Sequence, residues 1–277
     1  MSNSSLEAPL TAEQLREHYE IEKELAARLR TATQTERRGL YGVVYDERAR
    51  RISHHPLVVR AKNKKAQAVD SSRQLRLLKP FLTPKTVFLE LGSGDCALSL
   101  RVAEYVKWVY AVDVSAALVY SDQFPPNFKL CVFDGLELPV GKAEIDLIYS
   151  RDVVEHLHPD DIKDQISSAC QALRPGGKYI CVTPNRLSGP WDISRHFDNV
   201  PTGFHLKEYT SYELLDVFKI AGFSRVDFFI SFLGYHLTPV LPVRPIVLLE
   251  HLFEHLPWNI THSISNSLTA VKVIATK

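Results

Sequence analysis

From Thr86 onward, short continuous apolar runs alternate with stretches of helical spacing, and that rhythm limits the fold of this chain more than any other feature. The runs are TVFLEL (86–91), WVYAVDV (108–114), NFKLCVFD (127–134), EIDLIYS (144–150) and KYICVTPN (178–185). Strands apolar at nearly every position are buried on both faces, and strands joined by helices run parallel. Helical spacing covers residues 95–107 and 160–173, and Arg174-Pro175-Gly176-Gly177 stops the second stretch. A helix around residues 212–220 and strand candidates at 225–232 and 269–276 follow. The expected fold is α/β: a doubly wound, mostly parallel sheet with helices on both faces.

Before Thr86 the pattern is helical throughout. Thr11 and Gln14 form a capping-box signature, followed by Leu15, Tyr19, Leu25 and Leu29 at roughly helical spacing. A second helix is expected over residues 37–51, weakened by Gly39 and Gly42 and interrupted at His54-His55-Pro56; a third covers 64–78 and stops before Pro80. The chain therefore reads as an N-terminal helical extension, residues 1–80, ahead of a domain at 81–277. Within that domain, loop 185–207 and insert 232–266 stand out. Trp191, His196, Phe197 and Phe204 either wall an acceptor pocket or fold onto the core, with Arg186 or Arg195 available for an anion. In the insert, Leu249, Leu252, Phe253 and Leu256 make an apolar stripe opposite Glu250, His251, Glu254 and His255. The acidic polar face favours packing on its own domain, with a peripheral membrane contact or a homodimer left open.

A formal net charge of +1 names no partner. The basic residues cluster, however: Arg28, Arg30, Arg37, Arg38, Arg48, Arg50, Arg51, Arg60, Lys62, Lys64 and Lys65 face only Glu36, Asp46 and Glu47 within the same stretch. A solvated helix face is preferred over an anion-binding patch. Cys96, Cys131, Cys170 and Cys181 form no CxxC pair and read as buried free thiols of a reducing compartment. Without a signal-peptide pattern or an apolar run of membrane-spanning length, a cytoplasmic location with no transmembrane segment is expected.

The sharpest motif is Glu90-Leu91-Gly92-Ser93-Gly94, where a strand ends in a glycine turn that lets the backbone approach a ligand. Asp113 ends the next strand about twenty residues on, where a carboxylate accepts ribose hydroxyls. Gly92-x-Gly94-x-x-Ala97 with Asp113 also fits a dinucleotide fingerprint, so these residues alone leave an NAD(P)-dependent oxidoreductase open.

Three further motifs separate the alternatives: Phe133-Asp134-Gly135 after the third strand, Ser150-Arg151-Asp152-Val153-Val154-Glu155-His156-Leu157 after the fourth, and Leu173-Arg174-Pro175-Gly176-Gly177 before the fifth. Together with ELGSG they resemble the class I, Rossmann-like S-adenosylmethionine-dependent methyltransferases, and among them small-molecule enzymes related to ubiquinone biosynthesis. The resemblance implies a seven-stranded sheet whose last strand is antiparallel and inserted between the fifth and sixth, with the N-terminal helices lying over its carboxyl edge as a cap. It implies S-adenosyl-L-methionine as cofactor. Glu90, Gly92, Ser93 and Gly94 would meet its methionine end, Asp113 and Val114 its ribose, Asp134 and Gly135 its adenine. Ser150 and Arg151 would offer backbone carbonyl to its amino group. His156 and His205 are the candidate catalytic bases, acting on a small-molecule acceptor, at oxygen.

Asp152, Glu155 and His156 would share one helical face, and with His205 they are similar to a divalent-metal site of ubiquinone-biosynthesis and small-RNA 2′-O-methyltransferases. Asp152 is a shorter arm than the glutamate there, so no metal is expected and activity should survive chelation. A non-catalytic S-adenosylmethionine-binding module is a further alternative. The absence of a nucleic-acid module argues against a nucleic-acid substrate.

Overall fold

The computed structural model describes residues 10–121, 123–236, 243–254 and 270–277. Its centre is β1 (Val87–Leu91), buried at every position. On one side lie β2 (Trp108–Asp113) and then β3 (Phe128–Val132); on the other lie β4 (Ile145–Arg151) and β5 (Leu173–Pro184), all parallel. β9 (Ala270–Thr276) pairs antiparallel with both β5 and β6 (Arg225–Phe228), giving the order β3-β2-β1-β4-β5-β9-β6. The expected α/β fold, with its inserted antiparallel last strand, is borne out.

Side-chain alternation along the strands sorts the core into two layers. Leu89, Leu91, Val112 and Ile148 pack with helices α1 (Ala12–Thr31), α2 (Gln34–Arg51), α6 (Ile162–Ala172) and α7 (Ser211–Ile220) through residues such as Leu25, Tyr41, Ile166 and Phe218. Phe88, Val109, Ala111 and Leu147 pack on the opposite face with α4 (Lys64–Leu78) and α5 (Ala97–Val102) through Leu75, Leu78, Leu98 and Val102. Each such large apolar side chain contributes about 1.5–3 kcal/mol when fully buried. Capping boxes start α1 at Thr11/Gln14, α2 at Thr33/Glu36 and α7 at Thr210/Glu213. The second of these moves the start of α2 three residues ahead of the expected 37.

Several expectations are corrected. α5 ends at Val102, because Asn127 ties down the carbonyls of Ala103 and Val106 while Lys107 donates to the Thr86 carbonyl to enter β2. β6 ends at Phe228; a small hairpin, β7 (Ser231–Phe232) and β8 (Tyr235–His236), then leaves the sheet for α4, where Arg76 donates to the Leu233 carbonyl. Helix α3 (Pro56–Ala61) occupies part of the expected interruption. α8 (Val243–Glu254) docks through a residue of its expected polar face: buried Glu250 accepts from the Ser211 N–H at 2.8 Å and from Asn185 Nδ2 at 2.8 Å. Leu252, on the expected apolar stripe, is exposed, and Leu256 lies outside the described residues. Among the described residues, no helix is long and apolar enough to cross a membrane.

The basic stretch divides: Arg38, Arg50, Arg51, Lys62, Lys64 and Lys65 are exposed, as a solvated face requires, while Arg37 and Arg48 are buried. Arg37 is bidentate on buried Asp161 at 2.6 and 2.7 Å; Arg28 pairs with Glu47 at 2.6 Å, Arg38 with Asp134 at 2.6 Å and Arg51 with Glu24 at 2.8 Å. Arg30 donates to the carbonyls of Pro201, Thr202, Gly203 and His205. Glu47 is a partner from within the stretch, whereas Asp161, Asp134, Glu24 and the loop carbonyls come from elsewhere in the chain.

Candidate functional site

The sheet changes direction at its centre: β2 and β3 extend one way from β1, β4 and β5 the other. In such sheets ligands bind beyond the carboxyl ends at that point. Leu91 lies opposite Val112 on one side and Ser150 on the other, so Gly92, Asp113 and Arg151 leave the sheet at one level. A cavity opens there, its floor including Glu90, Gly92, Ser93, Gly94, Asp113, Val114 and Arg151.

Gly92 has φ +77°, and a Cβ there would lie 2.3 Å from Val153 Cγ2, so the turn admits only glycine. Gly92 and Ser93 donate to the Val112 carbonyl, locking the turn onto β2. Asp113 accepts from the Gly94 N–H at 2.8 Å through Oδ2 and from the Ser115 N–H at 3.2 Å through Oδ1. Burial pushes this carboxyl above its ordinary range while the N–H groups oppose the shift. A carboxylate has about four acceptor positions. Acceptor capacity therefore stays open for the hydroxyls of a ribose, which is the fit required of a nucleoside-bearing cofactor. Glu90 is buried and accepts from the Ser99 hydroxyl; burial, with Asp95 and Asp113 adding, pushes it up to about 8. Near neutrality it holds its proton unless a cationic group sits beside it.

Other expected residues lie outside this wall. The Asp134 carboxylate pairs with Arg38 and accepts from the Leu136 and Glu137 N–H groups, both at 2.9 Å. Gly135 packs beneath the cap: a Cβ there would lie 2.7 Å from the Tyr41 ring. In their place Phe133 and Gln165 line the cavity, and Gln165 Oε1 is buried without a hydrogen-bond partner. Ser150 is buried and accepts from the Tyr179 hydroxyl at 2.9 Å, away from the cavity lining.

The expected helix carrying Asp152, Glu155 and His156 does not form. A single 3-10 turn spans Val154–His156, and Asp152, at φ +56°, turns its carboxylate to Arg151 Nε at 3.4 Å. His156 lines the cavity; its Nδ1 lies 2.9 Å from the Phe204 carbonyl and is assigned as donor, which leaves Nε2 as a bare acceptor. Burial, with His205 and Arg48 adding, holds the ring well below the ordinary histidine range. His205 sits behind it, outside the cavity lining, with ring centroids 4.8 Å apart and Nδ1 2.7 Å from Glu208 Oε1. Glu155 accepts from the Thr183 hydroxyl at 2.9 Å through Oε2, while Oε1 is buried with no partner. One ligand atom from each of Glu155, His156 and His205 lies within 4.8 Å of the others.

The cap supplies the roof, as the resemblance implied, through residues that the sequence reading did not name. Tyr41, Tyr45 and Arg48 line the cavity from α2, His55 from the start of α3, and Gln67, Asp70 and Gln74 from α4. Tyr41, Tyr45 and Arg48 are spaced four and three apart on one helix face, and that stripe was the available signal. The Arg48 guanidinium lies 4.6 Å from the ring centroids of both Tyr45 and Phe204. Trp191, His196 and Phe197 do not line the cavity; Phe197 stacks on Tyr19 of α1 at 4.4 Å, and Phe204 is buried in the core.

Residues 89–181 match the family model described as a methyltransferase domain. A probable S-adenosylmethionine-dependent methyltransferase of Mycolicibacterium smegmatis is 29% identical over 140 residues, 50% of this chain and 52% of that protein. A ubiquinone biosynthesis O-methyltransferase of Paramagnetospirillum magneticum is 26% identical over 134 residues, covering 46% of this chain and 51% of that one. The chain thus spans about half the length of the curated relatives it matches. A solved S-adenosylmethionine-dependent methyltransferase from Archaeoglobus fulgidus aligns with 80% of this chain and all of its own (100%), at TM-score 0.54 and 18% identity, a likeness of fold.

Proposed function

We propose that this chain, which carries a class I S-adenosylmethionine-dependent methyltransferase domain at residues 89–181, methylates a small-molecule acceptor at oxygen. The observation that carries this reading is the partly satisfied Asp113 carboxylate on the floor of a cavity roofed by α2, α3 and α4. When bound, the cofactor supplies an electrophilic methyl group on sulfur. Asp113 holds the ribose hydroxyls, and Glu90 ionises against the positive methionine end. Phe133 and Gln165, rather than Asp134, flank the base. The roof excludes bulk water and orients an acceptor of limited size; alignment of this kind supplies roughly 7–11 kcal/mol of the barrier. His156 Nε2, the ring's remaining nitrogen, takes the acceptor's proton.

Replacing Asp113 with alanine removes hydrogen bonds to a charged acceptor, each worth about 1.5–3 kcal/mol. Calorimetry with S-adenosylhomocysteine should show affinity falling by more than about tenfold. Unchanged affinity would refute the assignment of the floor.

One observation favours a second reading of the acceptor chemistry, in which Glu155, His156 and His205 hold a divalent cation: the partnerless Glu155 Oε1 beside two imidazoles whose Nδ1 atoms are already engaged. Such an ion would acidify an acceptor hydroxyl. If His156 acts alone, chelation leaves turnover intact. Metal-dependent turnover that His205→Ala abolishes and His18→Ala retains selects this cation over one bound in the cap.

A further inference from the structure

A second cluster lies in the cap, where none of the methyltransferase motifs reach. α1 carries His18 and Glu22 one turn apart on one face. His55 caps α3, its Nδ1 accepting from the Leu57 N–H at 3.0 Å, which fixes the ring and leaves Nε2 for other use. That nitrogen lies 3.4 Å from Glu22 Oε1, and His18 Nε2 lies 3.1 Å from the same oxygen. All three residues are buried.

The contacts are wrong for a simple hydrogen-bonded triad. Both ring nitrogens of His18 are buried without a hydrogen-bond partner, although Nε2 is within reach of Glu22. One ligand atom from each of His18, Glu22 and His55 lies within 4.8 Å of the others. Ligands of one ion are arranged in this way. With metal–ligand bonds of about 2.0–2.1 Å, the edge of a coordination tetrahedron is roughly 3.3 Å, the length of the two separations here. His54 Nε2 lies 3.1 Å from the Gln14 carbonyl and is engaged there, while Arg48 Nη1 pairs with Glu22 Oε1 at 3.6 Å, longer than a hydrogen bond.

We propose that His18 Nε2, Glu22 Oε1 and His55 Nε2 bind one divalent transition-metal ion of the zinc class, tying α1 to α3 at the wall of the cavity. Two imidazoles and a carboxylate suit zinc, and three protein ligands leave one position for water. His55 lines the cavity, so the ion fixes part of the roof. The site is separate from Glu155, His156 and His205 and does not depend on the reading of those residues.

Co²⁺ is a spectroscopic probe for such a site. The chelator-stripped full chain, titrated with Co²⁺, should bind with visible ligand-field absorption, and Zn²⁺ should displace the Co²⁺ and raise Tm. His55→Asn keeps a side-chain oxygen to cap α3 while removing a ligand. His55→Asn and His18→Ala should each lose one equivalent of bound metal, or weaken it at least tenfold, and lose the Zn²⁺-dependent rise in Tm. His205→Ala should retain that equivalent, which separates this site from the other cluster. Circular dichroism checks the fold, and His55→Asn decides if His18→Ala does not fold. The proposal is overturned if the wild type binds no Co²⁺, if His205→Ala loses all of it, or if a folded His55→Asn binds as much as the wild type.

Discussion

The two floor carboxylates, Glu90 and Asp113, are satisfied close by in sequence, whereas α2 of the roof is anchored by a partner that lies far away. Asp113 takes its hydrogen bond from Gly94, 19 residues earlier. Arg37, which anchors α2, takes its partner Asp161 from 124 residues away. The floor is therefore built by strand register and turn chemistry, which form whenever the sheet forms. The roof is positioned by charge pairs that exist only once distant segments have met. The difference predicts a division of labour under mutation: roof changes should act on stability, and floor changes on ligand affinity and pH dependence.

The largest effect is expected at the roof. Arg37 and Asp161 are both buried, and the Tyr41 hydroxyl also donates to Asp161 at 2.7 Å. Burial acts to raise the Asp161 carboxyl, but Arg37 and Tyr41 outweigh it and hold it below the ordinary range. Arg37→Ala would strand a buried carboxylate, a change that costs about 3–5 kcal/mol. Urea denaturation should show that loss with an unchanged slope. A loss below about 1 kcal/mol would mean that apolar packing, not the pair, holds the cap in place.

An intermediate effect of the opposite sign is expected on the floor. Glu90 has an ordinary carboxyl pKa of 4.5 when unfolded and is pushed up to about 8 when folded. The unfolded chain therefore releases this proton first, and the free protein loses stability as pH rises from 4.5 toward 8. Glu90→Gln removes that loss. The variant should match the wild type near pH 4 and exceed it near pH 8 by at least about 1 kcal/mol, roughly 2–4 °C in Tm. It should bind S-adenosylmethionine more weakly, having no charge to offer the cofactor's cationic end. A difference in Tm that does not change with pH would show Glu90 to be ionised in the free protein.

The same contrast explains what could be read from the sequence. Five continuous apolar runs identified the strands of the parallel core, because burial on both faces leaves little choice of residue. The glycine turn and Asp113 were legible because they sit at strand ends next to the central crossover. Asp134 also ends a strand, but β3 is the edge strand, and Arg38 from the cap reaches its carboxylate. The pairings of the roof were not legible: Arg48 has meaning only beside Phe204, and Asp70 only beside Arg151, and no local pattern joins those positions. The turn after β4 misled in another way. Spacing of three and four implies one face only if a helix forms, and a single 3-10 turn sends Glu155 toward Thr183 and His156 to the cavity.

The smallest effect is expected just outside the cavity, at Arg38 of α2 and Asp134 beyond β3. Their carboxylate–guanidinium contact is 2.6 Å, yet the two side chains are 45% and 30% exposed. Solvent and side-chain entropy reduce such pairs to about 0.2–1 kcal/mol, and salt screens them further. Arg38→Ala should therefore lower stability by less than about 1 kcal/mol in dilute buffer and by nothing measurable near 1 M salt. Affinity for S-adenosylhomocysteine should stay within about twofold of wild type, a shift of roughly 0.4 kcal/mol, because Asp134 is engaged by its own backbone and lies outside the cavity lining. If freeing Asp134 from its arginine instead raised affinity tenfold, the carboxylate would be turning inward to meet the base, and the division between a stabilising roof and a binding floor would fail at this strand end.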